Sequence, residues 1–124
     1  MKYVYDAGTL IAADRGERRI WAEHKARLRL GLTPEVPAVV VAQVSRSTGQ
    51  VQLRRLLHGC SVVPLDAASA HEAGRLLGAT KTSDVVDAAV VAASSNDAHI
   101  LTSDVADIER LVRAAGKRCV VRRP

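Results

Sequence analysis

The chain has 124 residues, enough for one domain with a real core. Hydrophobic residues make up 48% and charged residues 25%, a soluble globular profile that excludes disordered and fibrous classes. With no Phe, one Trp and two Tyr, the core has to be filled by Val, Leu, Ile and Ala; the net charge of +5 points to a basic surface or a polyanionic partner, either nucleic acid or an acidic protein.

Lys2–Tyr5 ("KYVY") is a short β-prone segment that ends at Asp6. Gly8–Gly31 is helical with a break near Gly16, and Ile20, Trp21, His24 and Leu28 fall near helical spacing in its second part. Gly31 is a helix stop, and "LTPEVP" after it is briefly extended. Pro37 suits the first turn of a helix "AVVVAQVSRS". Gln50–Leu57 is a further short helix, followed by a strand "CSVVPL". Asp66 can cap the helix "AASAHEAGRLLGA", and "KTSDVVDAAVVAAS" supplies another. "AHILTS" is a strand, "DVADIERLVRAAG" a helix, "KRCVV" a closing strand and "RRP" a frayed basic tail.

Short apolar strands that alternate with helices imply βαβ units and a parallel sheet covered on both faces. The apolar runs are too short to span a membrane, and the start "MKYVYDAG" has no signal-peptide core, so a cytoplasmic protein is expected. Cys60 and Cys119 form no CxxC pattern and read as free thiols. His24, His58, His71 and His99 have no metal-ligand spacing and read as surface or core residues. The Arg-rich run Arg15–Arg29 reads as a solvated helix face, or as a surface for RNA, a second copy or a protein partner.

The acids are placed less evenly. Asp6 follows the first strand, Asp104 follows "HILTS", and Asp84 and Asp87 open a helix three residues apart. In an open parallel sheet, ligands bind at the carboxyl ends of the strands, near the topological switch point. Capping offers a structural account: Asp84 as N-cap with Asp87 three residues on, and Asp104 with Asp107 at the same spacing. Each cap is worth ~0.5–2 kcal/mol. "DAGTL" is either a turn and cap or a site segment. A functional account covers all of these acids together, because converging carboxylates need a cation to neutralise them. Oxygen-rich acidic sites suit Mg²⁺ or Mn²⁺, which can assist phosphodiester hydrolysis. A doubly wound phosphate-binding signalling domain also gathers acids at strand ends, but no Gly-rich phosphate loop is present.

"YDAGTLIA", "PAVVVAQVSR", "SDVVDAAVVAA" and "ILTSDVADIERL" together resemble the PIN-domain ribonucleases, and most closely the VapC toxins of toxin–antitoxin pairs. The resemblance covers nearly the whole chain. It implies one domain over residues 1–124, a three-layer α/β/α sandwich with a central parallel sheet in the order 3-2-1-4-5. It implies an Mg²⁺- or Mn²⁺-dependent endoribonuclease that dimerises and is held inactive by a VapB-like antitoxin. Asp6, Asp87 and Asp104 match the metal-binding acids, and Asp84 and Asp107 match accessory acids. Thr9 and Thr102 match hydroxyl positions that orient an acid or a water, and plain cap or turn hydroxyls are the other reading. Arg46 is the candidate for phosphate contact or for pairing with site acids. On the implied strand order Cys60 and Cys119 lie at opposite sheet edges, too far apart for a disulfide.

One position departs from the family. Gln43 stands where the family carries Glu. Gln43 can offer a carbonyl oxygen but no charge, so metal binding is expected to weaken. The chain is then an active variant helped by Asp84 or Asp107, a naturally weak enzyme, or a chain with an introduced substitution. The rival function is a catalytically weakened PIN-fold module that binds RNA or an antitoxin.

Overall fold

The computed structural model describes residues 1–124. Its elements in chain order are β1 (Tyr3–Tyr5), α1 (Ala7–Asp14), α2 (Arg18–Arg29), β2 (Glu35–Pro37), α3 (Ala38–Val44) and α4 (Val51–His58). There follow β3 (Ser61–Val63), α5 (Ala67–Thr80), α6 (Val85–Ala93), β4 (His99–Leu101), α7 (Val105–Ala115) and β5 (Val120–Arg122). All strand pairings are parallel, and the sheet order is β3-β2-β1-β4-β5, as expected. The chain winds outward from β1 to one edge, then returns to the other side of β1 as β4. The topological switch point therefore lies between β1 and β4, where Tyr5 pairs with Leu101.

Helix ends follow local chemistry. Asp66 caps α5 through a 2.8 Å bond from the Ser69 N–H. Gly16, Gly31 and Gly116 adopt positive φ where α1, α2 and α7 give way to the next segment. Helix α3 ends at Val44, short of the expected "AVVVAQVSRS", because Ser45 turns extended and Gln50 then ties the following loop together by accepting from the Arg46 and Ser47 N–H groups. The tail "RRP" is docked rather than frayed. Arg122 closes β5, Arg123 donates to the Ser103 carbonyl and Arg19 donates to the Pro124 carbonyl at 2.8 Å.

The core is aliphatic, as the composition requires, with Val4, Leu10, Val36, Val40, Leu56, Val90, Ile100 and Ile108 fully buried. At ~25 cal/mol per Å² of apolar surface removed from water, such side chains supply the main stabilising term. One polar cluster sits inside it. The Tyr5 hydroxyl meets His24 Nδ1 at 2.9 Å and accepts from Arg27 at 3.1 Å. Arg27 also lies 4.5 Å over the Tyr3 ring. Burial holds His24 below its ordinary range and pushes the Tyr5 hydroxyl up to about 12. Arg27 thus departs from the solvated face expected of the Arg15–Arg29 run. The helical period places it beside Ile20 and His24, on the side of α2 that meets the sheet. Cys60 and Cys119 are free thiols that precede opposite edge strands. No helix is long and apolar enough to cross a membrane.

Tyr5→Phe removes the oxygen that two buried partners share. It is expected to destabilise the chain by about 1–3 kcal/mol in urea unfolding, more than a lost exposed hydrogen bond.

Candidate metal centre

Each of the central acids is positioned by a different element. Asp6 is the residue where β1 turns into α1. Its Oδ1 accepts from the Ala7 N–H at 2.8 Å, and its Oδ2 accepts from the Thr102 hydroxyl at 2.7 Å. The "DAGTL" segment is therefore both a cap and a part of the cluster. Thr102, fully buried after β4, also accepts from the Asp104 N–H at 3.0 Å. A single hydroxyl thus links the acid after β1 to the turn that carries the acid after β4.

Asp104 occupies the N-cap position of α7, yet its side chain makes no cap bond. The capping account, open for Asp104 in the sequence, fails for it. Asp84 and Asp87 separate cleanly. Asp84 is exposed and caps α6 by accepting from the Asp87 N–H at 3.0 Å. Asp87 lies in the first turn, and its side chain is turned inward and buried. One carboxylate oxygen from each of Asp6, Asp87 and Asp104 lies within 4.8 Å of the others.

The electrostatics of this cluster are unfavourable on their own. Burial raises Asp87 from 3.8 to about 7, with Asp84, Asp6, Asp104 and Asp107 adding repulsion. Burial raises Asp6 as well, against the two hydrogen bonds from Thr102 and Ala7 that favour its charged form. None of the chain's ion pairs involves Asp6, Asp87 or Asp104, although Lys and Arg number 18. Paired buried acids are the rule, and unpaired ones are expensive. An all-oxygen donor set with no protein cation fits a hard divalent ion such as Mg²⁺ or Mn²⁺.

The other expected residues differ in burial and in partners. Thr9 is buried, and its hydroxyl has no hydrogen-bond partner. Asp107 is exposed and stands 3.9 Å from Arg110. Gln43 is exposed on α3. Arg46 donates back to the Ala42 and Ser45 carbonyls at the end of α3 and forms no ion pair with the acids. Gly8 was not legible as a site residue. A side chain at Gly8 would collide with the Ser103 hydroxyl, so its bare Cα lets the β1–α1 and β4–α7 turns close on each other. The only trace in the sequence is a glycine directly after "DA".

No protein-family model matches the chain, and no curated protein does. Among solved structures it is similar to a chain in the crystal structure of VapBC2 from Rickettsia felis bound to a DNA fragment from their promoter. What the two share is the fold. The TM-score is 0.68 at 14% sequence identity, over 98% of each chain.

The raised Asp87 sets a sign for the pH dependence of stability. Its contribution is fully present below pH 3.8, where both folded and unfolded chains carry the proton, and is lost as the pH rises towards about 7. Asp87→Asn is therefore expected to gain melting temperature over wild type between those values, measured in EDTA by differential scanning fluorimetry. His24, whose neutral form the fold favours, is unchanged in the comparison and cancels from the difference.

Proposed function

We propose that this chain is a divalent-cation-dependent endoribonuclease of the VapC type, a single PIN-like domain acting on RNA. The observation that carries this reading is the convergence of Asp6, Asp87 and Asp104, from three separate elements, without any protein cation to balance them. The structural likeness to a toxin–antitoxin complex supports it, as does the net charge of +5, which favours a phosphate backbone.

Asp6, Asp87 and Asp104 would hold the ion. When bound, it would neutralise the clustered carboxylates, polarise the scissile phosphodiester and make water a stronger nucleophile. The remaining work falls to the chain. Thr102 and the Ala7 N–H lock the Asp6 carboxylate in one orientation, so little reorganisation is needed when the site is filled. Asp104, free of capping bonds and exposed, leaves the cluster open to solvent on its side. Asp87 anchors the cluster from within the core, and Asp84 and Asp107 add negative potential around it. Thr9 offers a buried hydroxyl to a water or a carboxylate. By the same reading the chain works in the cytoplasm as a homodimer restrained by a VapB-like antitoxin.

Gln43 favours a second reading, a weakened enzyme retained as an RNA- or antitoxin-binding module, because Gln43 contributes no charge. Gln43→Glu separates the two: a large rise in Mn²⁺ affinity and RNA cleavage marks a weakened site, and no change marks a site that works without that acid.

Mn²⁺ binding by titration calorimetry and cleavage of single-stranded RNA should both be lost in Asp87→Asn and Asp104→Asn. Full cleavage by EDTA-treated protein would sink the proposal. Thr102→Val should cost about 10–100-fold in Mn²⁺ affinity or activity by freeing Asp6, and Thr102→Ser should recover most of it.

A further inference from the structure

A second charged feature lies away from the carboxylates. Helix α1 starts beside Asp6, and Gly16 follows its far end, ~12 Å along the axis. There an open groove of about 460 Å³ runs between α2 and α4. Its walls carry Arg18, Lys25, Arg29 and Arg55, with Trp21 and Gln52 among them, and no acid lines it. None of these four cations takes part in an ion pair, whereas Arg19 and Arg27 of the same helix both reach Glu23. All four are exposed and none has an acidic neighbour in the groove, so they form a concentrated positive face open to an anionic partner.

The shape and chemistry select among anions. Arg18, Trp21, Lys25 and Arg29 recur at helical spacing, so one face of α2 presents three cations with a tryptophan among them. From Arg18 to Arg29 that face extends ~16 Å, enough to meet several successive phosphates. Arg55 is positioned by a bond within its own helix, donating to the Gln52 side-chain carbonyl at 3.2 Å, and its guanidinium lies 5.6 Å from the Trp21 ring centroid. This cation–π pair brings an aromatic ring and a guanidinium together in the groove, the two kinds of group that receive bases in single-strand sites. A helical peptide partner would instead need apolar pockets for its anchors, and the only hydrophobic residues lining the groove are Trp21 and Ala22.

We propose that the α2–α4 groove is a non-catalytic binding site for a single nucleic-acid strand, with Arg18, Lys25, Arg29 and Arg55 on its phosphates and the Arg55–Trp21 pair beneath a base. The site stands apart from the carboxylate cluster and needs no metal ion, so it is tested in EDTA, where failure leaves the nuclease reading untouched.

The full chain is titrated into fluorescein-labelled oligouridine of about 12 nucleotides, with anisotropy and the emission of the sole tryptophan, Trp21, recorded together. Arg18→Ala with Arg55→Ala should weaken binding roughly tenfold and reduce the slope of log affinity against log salt by about 1.4. Arg18→Lys with Arg55→Lys should keep the salt slope. Arg75→Ala with Arg113→Ala, an equal loss of charge elsewhere, should weaken binding by less than about twofold. Circular dichroism confirms that each variant is folded. The proposal is overturned if the two alanine pairs lose affinity equally. It is also overturned if polyglutamate of equal charge binds as tightly and changes Trp21 emission in the same way.

Discussion

The hydrogen bond from Thr102 to Asp6 joins residues 96 positions apart, and the candidate centre depends on it. It exists because β1 and β4 are neighbours in a parallel sheet, with Tyr5 opposite Leu101. Each strand then ends at the same height, and the residue after each end projects into the same crevice. The bond satisfies one oxygen of a buried carboxylate that has no cation partner. It also ties down the turn that carries Asp104, since the same hydroxyl accepts from that residue's N–H. Gly8 completes the arrangement by leaving room for Ser103.

The stability of the fold and the chemistry of the centre pull against each other. Apolar helix α6 buries Ala88, Ala89, Val90 and Val91 among α5, α7, α3 and β2 and carries Asp87 inward with them. That anchorage places a carboxylate in a poorly solvated position beside two others. The hydrogen bonds on Asp6 and the raised proton affinity of Asp87 offset part of that cost. Beyond the far end of α1 the imbalance has the other sign, with four cations without ion-pair partners between α2 and α4. The chain therefore separates charge across its own body, acids at the switch point and bases along α2.

Much of this was legible in the residues. The alternation of short apolar runs with helical periods led to a parallel sheet, and the resemblance supplied its strand order. Asp6, Asp87 and Asp104 were singled out because each stands where a strand ends or a helix begins. Other features could not be read locally. Asp84 and Asp87 look equivalent in "SDVVD", and only the rotation of α6 against the sheet makes one a cap and the other a buried acid. Arg27 belongs to a run of arginines, but the helical period carries it under the sheet to Tyr5. Arg46 looked well placed for the acids, and the end of α3 instead folds its guanidinium onto local carbonyls.

By itself, then, the sequence determined the periodicities, the glycine stops and the positions of acids relative to strand ends, because these are set within a few residues by backbone sterics and hydrogen bonding. Only the tertiary structure decided which acids share one space, which hydroxyl binds them and which cations remain unpaired. Those outcomes depend on contacts between segments far apart in the chain, such as Thr102 with Asp6 or Trp21 with Arg55, and no local pattern encodes a distance across a sheet.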